Sequence, residues 1–267
     1  MNVQSSCPIL PYPLAGSSDR KNLFQSPGTI FNISPAKIKA EMIKNIKIPD
    51  IISSRTEYKK KFSLCEMYRA FVLIPGAAAE MINNKRKKLI DKDFTERLQL
   101  AVTEVNGCAA CSYAHTYLAL KQGMSNAEIN SFLSGDGNFF KPEEAKAIYF
   151  AQHFADTRGL PKKDAYESII NEYGVEKTRI ILAAVQLMTA GNIYGIPYSA
   201  LHSRFNGKPY KDSSLIYELG MQIAGFILLP MALFHGILRT ITGFSNIRLD
   251  KGKYSVKNDG VKFYENS

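Results

Sequence analysis

Cysteine is scarce in this chain. Four cysteines among 267 residues are too few for a disulfide framework, so a closely spaced pair is better read as redox-active or metal-binding. Histidine is equally sparse, with four. The opening stretch MNVQSSCPILPYPLAGSSDR has no basic start, and Pro8, Pro11 and Pro13 interrupt its apolar residues. A secretory signal needs both features, so none is read and the cytoplasm is the expected location. Strand-like alternation and internal repeats are also missing. The basic runs Lys59-Lys60-Lys61 and Lys85-Arg86-Lys87-Lys88 lack neighbouring glycines and interleaved aromatics, so they are read as solvated helix faces and no nucleic-acid partner is expected.

What remains is an ordinary globular composition. Hydrophobic residues make up 45% and charged residues 22%, enough to fold on one core of its own. The formal charge of +10 favours anionic neighbours without naming one.

The chain reads as all-α. Residues 1–35, rich in Pro, Ser, Gly and Asn, are expected to form an extended or disordered arm. A helical domain is expected over 36–210, an apolar helical extension over 211–245 and a polar tail over 246–267. Ser34-Pro35 offers an N-cap and first helical residue for SPAKIKAEMIKNI. Phe62, Cys65, Met67 and Phe71 share a helical spacing that Pro75-Gly76 should break, with AAAEMINNKRKKLI resuming as a polar helix. Apolar residues at 94, 98, 101, 102 and 105 form a further stripe, stopped by Asn106-Gly107. A helix should then begin at or just after Cys108 and stop at Gly123. Ser125 through Glu128 is a capping box, Lys141-Pro142-Glu143-Glu144 opens another helix, and Gly174 separates KKDAYESIINEYG from EKTRIILAAVQLMTAGN.

Residues 219–238, LGMQIAGFILLPMALFHGIL, carry no formally charged side chain and are long enough to invite a membrane-spanning reading. Gln222, Pro230, His235 and three glycines dilute the segment. It is read as a buried helix or pair of helices, hidden in the core or between subunits of a homo-oligomer, with no stable membrane insertion; membrane contact is the alternative.

The chemistry concentrates in GCAACSYAHTYLAL, residues 107–120. On a helix, Cys111 and His115 stand one above the other on one face, whereas Cys108 and His115 are two turns apart. The imidazole therefore serves Cys111, and first-turn amides favour the same thiolate. Cys108, one turn away, is placed to resolve an oxidised Cys111. Two acids on the preceding helix, Glu96 and Glu104, are candidates to orient the ring; the bland reading has Glu96 paired with Arg97 or Lys92 on a wet face. A zinc site from Cys108, Cys111 and His115 would need a fourth ligand from Cys65, Glu96, Glu104 or a remote histidine, and no second C-x-x-C or H-x-x-x-H supplies one. Simple core cysteines are the third reading.

Glu96 with Cys108-x-x-Cys111-x-x-x-His115, set in ERLQLAVTEVNGCAACSYAHTYLALKQGMSNAEI, resembles the signature of the carboxymuconolactone decarboxylase-like superfamily, on its alkylhydroperoxidase D side. The resemblance is sharpest over residues 91–133 and extends more weakly from about 55 to about 200. It implies an all-helical core, a homo-oligomer, and a cysteine peroxidase that takes a hydroperoxide and is restored by a dithiol or thioredoxin-like reductant, with no metal or organic cofactor. By matching position it implies that Cys111 attacks, Cys108 resolves, and Glu96 and His115 relay protons, which promotes Glu96 over Glu104. Ala110 stands where the peroxidases of this type carry a further histidine between the cysteines.

Overall fold

The helix that opens the described chain starts where its own side chains close the first turn. Ser63 accepts from the Glu66 amide, and the Glu66 carboxylate accepts in return from the Ser63 amide at 2.7 Å, a complete capping box for α1 (Leu64–Lys87). The computed structural model describes residues 55–134, 139–250, 253–256 and 262–265, the last two segments as backbone alone. All lie within the unit Ile43–Ser267. The arm expected over 1–35 and the helix expected from Ser34 fall outside the described residues.

Six further helices follow: α2 (Lys92–Asn106), α3 (Ala109–Gln122), α4 (Asn126–Ser134), α5 (Pro142–Asp156), α6 (Lys163–Phe205) and α7 (Leu215–Ile241). The sequence signals set most of these boundaries. Asp91 caps α2 by accepting from Phe94 N at 2.6 Å, and Gly107 ends it in the left-handed conformation at φ 77°. Gly123 ends α3, Ser125 accepts from Glu128 N at 3.1 Å ahead of α4, and Pro142 occupies the first turn of α5. At Gly174, with φ 72° and ψ 165°, α6 is two helical segments joined at a non-helical residue, as its sequence predicts. A short antiparallel hairpin, β1 (Lys253–Val256) with β2 (Lys262–Glu265), is the one strand pairing among the described residues. Four residues a side are too short for alternation to register in the sequence.

The prolines depart from expectation. Pro75-Gly76 was to break a helix, yet α1 continues through both to Lys87, and α7 continues through Pro230. A proline removes one amide from the ladder and crowds the preceding turn, so the loss has to be offset by neighbours. Around Pro75 two distant segments pack closely on the helix. Asn246 donates to the Leu73 carbonyl at 3.2 Å and occupies the space that a Gly76 side chain would need. Gly236 of α7 comes close enough that a Cβ there would lie 2.3 Å from the Val72 carbonyl oxygen.

Two hydrophobic clusters form the interior. One joins α2, α4, α5 and the first part of α6, with Leu98, Phe132, Ile148 and Ile181 fully buried. The other joins α1, the later part of α6 and α7 through Met67, Phe71, Ile193 and Met221, and it includes Cys108. Cys65, expected on that stripe, is exposed. The lysines at 59–61 precede α1 and tie elements together: Lys59 reaches Glu104, Lys60 the Ala155 carbonyl at 2.9 Å, and Lys61 the Asp212 carbonyl.

The apolar segment 219–238 is one helix, and its outward side is not covered by the chain's own core. Ile216, Ile223, Phe226, Phe234 and Ile241 are 60–86% exposed, while Met221, Gly225, Ala232 and Gly236 face inward. The core-buried half of the expectation is thereby corrected: at 100° per residue a 27-residue helix resting on α1 and α6 from one side leaves its opposite stripe bare. Both α6 and α7 are long and apolar enough to cross a membrane by length and composition alone, but α6 is mostly buried. The start of α7 is fixed by Glu218, fully buried, which accepts from Arg204 Nε at 2.7 Å and Nη2 at 2.9 Å.

Two outcomes follow from α7. Gly236→Ala forces a methyl against a backbone carbonyl that has no rotamer to yield, and is expected to cost about 1–3 kcal/mol, whereas Gly220→Ala, with open space around it, is expected to be neutral or to stabilise by up to about 1 kcal/mol through helix propensity. Thermal unfolding of the two variants measures the contrast. Burial alone would push the Glu218 carboxyl up, but its bonds to Arg204 and Ser213 outweigh burial and hold it below the usual carboxylate range. Its contribution is therefore present above the unfolded carboxylate pKa of about 4.3 and is lost as pH falls through the lower folded value. Unfolding midpoints between about pH 2.5 and 6 should show wild type above Glu218→Gln, with the gap closing at the acid end.

Candidate active site

The α2–α3 junction is two residues long, and it places both cysteines. Gly107 turns the chain, and Cys108 becomes the N-cap of α3, its sulfur accepting from the Cys111 amide at 3.2 Å. Cys108 and Cys111 form a disulfide across that first turn, with Cα atoms 5.3 Å apart. A Cβ on Gly107 would meet the Lys59 side chain at 2.6 Å, so the turn is also packed from outside by the segment before α1. Ser199 of α6 completes the junction by accepting from the Ala110 amide at 3.0 Å and donating to the Gly195 carbonyl at 2.7 Å.

The two sulfurs have different surroundings. Cys108 is fully buried in the α1–α6–α7 cluster. Cys111 is half-buried, lies at the seam where both hydrophobic clusters meet, and has its sulfur 3.8 Å from the Gly191 carbonyl oxygen. It opens on a cavity of about 320 Å³ whose lining includes Gln99, His115, Leu187, Met188 and Gly191. Leu187 and Gly191 are shared with a second cavity of about 340 Å³, where Phe71, Tyr194, Phe226 and Leu229 make apolar walls reaching the exposed side of α7.

His115 Nδ1 lies 2.6 Å from Glu96 Oε1. A carboxylate only accepts, so this bond puts a proton on Nδ1 and leaves Nε2 as the basic nitrogen of a neutral ring. Glu96 is buried, and the ring is one-fifth exposed at the cavity edge. Arg97, the partner in the bland reading of Glu96, points elsewhere: its Nε donates to Glu128 at 2.9 Å and its Nη1 to Glu144 at 3.3 Å, bracing α2 against α4 and α5. Glu104 is occupied by Lys59 and by Arg55 at 3.4 Å, and Lys59 also reaches the Glu104 carbonyl at 3.0 Å. Of the two candidate acids, the structure brings Glu96 to the histidine and gives Glu104 to the N-terminal segment. Among the described residues no three His, Cys, Asp or Glu side chains cluster as a metal site would need.

Sequence reasoning missed the α6 side of this site. A Cβ on Gly195 would lie 2.8 Å from the Cys108 sulfur and 2.9 Å from the Cys111 sulfur, so both sulfurs rest against bare helix backbone. Behind them Asn192 donates to Thr103 at 3.2 Å and accepts from Asn106 at 3.1 Å, a buried polar link between α6 and α2. The signal was present as Gly191-x-x-x-Gly195-x-x-x-Ser199, small residues at successive turns of one face, in a stretch otherwise read only as an apolar helix.

The model of the carboxymuconolactone decarboxylase family matches residues 67–152, the segment from α1 through α5 that contains Glu96, Cys108, Cys111 and His115. This agrees with the resemblance legible over residues 91–133. No curated protein and no solved structure matches the chain.

Gly195→Ala tests the contact that the sulfurs make. Its methyl competes with both sulfurs for one space, so the oxidised variant is expected to retain more free thiol and to close its disulfide at least about tenfold more slowly, a penalty of about 1.4 kcal/mol. Gly191→Ala, which meets open space, is the control. Thiol titration after timed oxidation distinguishes them.

Proposed function

We propose that the chain is a thiol-dependent peroxidase of the alkylhydroperoxidase D type, in which Cys111 attacks a hydroperoxide and Cys108 resolves. The observation that carries this reading is the asymmetry of the pair: Cys111 shares an open cavity with His115, whereas Cys108 is fully buried behind it. An incoming peroxide meets Cys111 first.

In this mechanism His115 Nε2 takes the Cys111 proton, and Glu96 holds the ring and the positive charge that forms on it. The thiolate attacks the terminal peroxide oxygen; the S–O bond forms, the O–O bond breaks, and the departing alkoxide takes the proton back to leave as an alcohol. Cys111 is then a sulfenic acid. Cys108 gives its thiol proton to the relay and attacks the Cys111 sulfur; the S–S bond forms, the S–O bond breaks, and the hydroxide takes that proton to leave as water. The Cys108–Cys111 disulfide supports this reading, since it is the state such a half-cycle leaves. A dithiol or thioredoxin-like donor reduces it by exchange at the accessible Cys111 sulfur. The apolar cavity continuous with the site favours hydroperoxides with a hydrocarbon body.

The chemistry needs no metal or organic cofactor and fits a reducing cytoplasmic setting. A homo-oligomer that covers the bare stripe of α7 belongs to the same reading, because the exposed side chains make a patch on the order of 1,000 Å², beyond what monomers usually leave open. Membrane insertion of α7 would strip Met221, Ala232 and Gly236 from their packing on α1 and α6. A second reading, thiol–disulfide exchange without peroxide chemistry, is favoured by Ala110, which leaves the relay without a histidine between the cysteines.

Stopped-flow oxidation of prereduced protein by several hydroperoxides separates the two. Cys111→Ser should abolish the fast phase, while Cys108→Ser should react once and accumulate sulfenic acid on Cys111. Glu96→Gln should slow oxidation by at least about tenfold at neutral pH, whereas Glu104→Gln should lower thermal stability and leave the rate within about twofold. First oxidation on Cys108, or equal rates for wild type and Glu96→Gln, would overturn the assignment; slow oxidation by every peroxide with rapid exchange toward dithiols would establish the second reading.

A further inference from the structure

The other side of α6 borders a different cavity. At 100° per residue, Gln186, Thr189 and Ile193 project opposite to Gly191 and Gly195, and they form one wall of a space of about 350 Å³ between α1, the turn after α5 and the second half of α7. Ligand pockets for small organic molecules begin at roughly this size.

Its charge is one-sided. Arg69, Arg158, Arg239 and Arg248 all line it, against a single acid, Glu66. Arg158 is already satisfied: it donates to Glu66 at 2.7 Å and to the Lys61 carbonyl at 3.0 Å. Arg69, Arg239 and Arg248 pair with no acidic side chain among the described residues. Three guanidinium groups without a carboxylate partner line one cavity; Arg69 and Arg248 are exposed and screened by solvent, and Arg239 is partly buried, so an anion gains most at Arg239. Arg239 is more specific still. Its Nη2 donates to the Ser245 carbonyl at 2.9 Å, but its Nε is buried with no acceptor among the described residues. A buried N–H without a partner is costly and rare in a native structure, so an acceptor is wanted at this point.

The remaining walls are of the opposite kind. Val72, Leu73, Phe154 and Ile193 give the cavity an apolar floor, and Tyr68 and His235, hydrogen-bonded to each other at 3.1 Å, stand at the α1–α7 side. A small inorganic anion would satisfy the arginines and leave that floor empty. A neutral hydrocarbon would fill the floor and leave the arginines unpaired.

We propose that this cavity binds an amphiphilic anion, a phosphate or carboxylate head held by Arg69, Arg239 and Arg248 with a hydrocarbon chain against Leu73, Phe154 and Ile193. Heads with two or more oxygens, carboxylate or phosphate, suit the guanidinium fork, which donates two parallel bonds. The site is independent of the thiol chemistry proposed above, since α6 stands between the two. The head has two possible sources, a soluble single-chain amphiphile or the headgroup of a bilayer lipid, and both present the same chemistry.

Titration calorimetry of the full, detergent-free chain with dodecyl phosphate tests it. One site is expected, with affinity that falls as NaCl rises from about 0.05 to 0.5 M. Dodecanol and inorganic phosphate should each bind at least about tenfold more weakly, each lacking one half of the match. Arg69 and Arg248 are exposed and unpaired, so Arg69→Ala/Arg248→Ala should keep its circular dichroism and lose at least about tenfold in affinity for dodecyl phosphate. Competition with vesicles then assigns the source: displacement by phosphatidylcholine vesicles containing phosphatidylglycerol, but not by phosphatidylcholine alone, identifies a bilayer headgroup, and no displacement by either identifies a soluble amphiphile. Equal binding of dodecanol and dodecyl phosphate, or wild-type affinity in the double variant, would overturn the proposal.

Discussion

The contact on which the cysteine site depends is the one between two sulfurs and a helix that has no side chain to offer them. Gly195 lets the α6 backbone come within van der Waals reach of both Cys108 and Cys111. That approach settles several other features. It fixes the depth of α3 against α6, it lets Ser199 one turn later reach the Ala110 amide, and it buries Cys108 while leaving Cys111 at the cavity edge. A larger residue at 195 would crowd both sulfurs, so the seating of the cysteine pair against α6 is a packing result before it is a chemical one.

Electrostatics is divided between the same elements. Two acids of α2 are committed to different partners: Glu96 to His115 on α3, and Glu104 to Arg55 and Lys59 ahead of α1. Arg97, between them in sequence, braces α4 and α5. One helix thus carries a ring-orienting carboxylate, a structural cation and a junction-holding carboxylate, each with its own partner. Buried charges persist when each is paired, and exchanging their partners would leave at least one unpaired at a cost of several kcal/mol.

Local signals in the sequence translated well into local structure. Capping residues, glycine stops and the stripe at 94, 98, 101, 102 and 105 lead to helices with nearly the expected ends, because each is decided within a few residues. The i, i+4 relation of Cys111 and His115 is of the same kind. What sequence left open depended on contacts between distant segments. Spacing did not choose between Glu96 and Glu104, because both lie on α2 and only the docking of α3 brings His115 to one of them. Pro75 read as a break because the propensity penalty is local, whereas Asn246 and Gly236, which pack against this part of α1, lie more than 150 residues away. Sequence left open whether the outward stripe of α7 is covered by the core or by a partner subunit for a related reason: an apolar helix shows in its sequence that it needs cover, and the identity of the cover is written elsewhere.

The pairing of α1 with α7 also has a consequence in time. Tyr68 and His235, which meet across this seam, are 167 positions apart in the chain. During synthesis at about 5–20 residues per second, the inner face of α1 therefore waits on the order of ten to thirty seconds for the helix that covers it. The α2–α5 cluster has its partners close at hand and assembles from local contacts, which form quickly. Newly made chains should thus pass through a stage with one half consolidated and Met67, Phe71 and Val72 still bare, and it is at this stage, before the last helix arrives, that the protein depends most on chaperones.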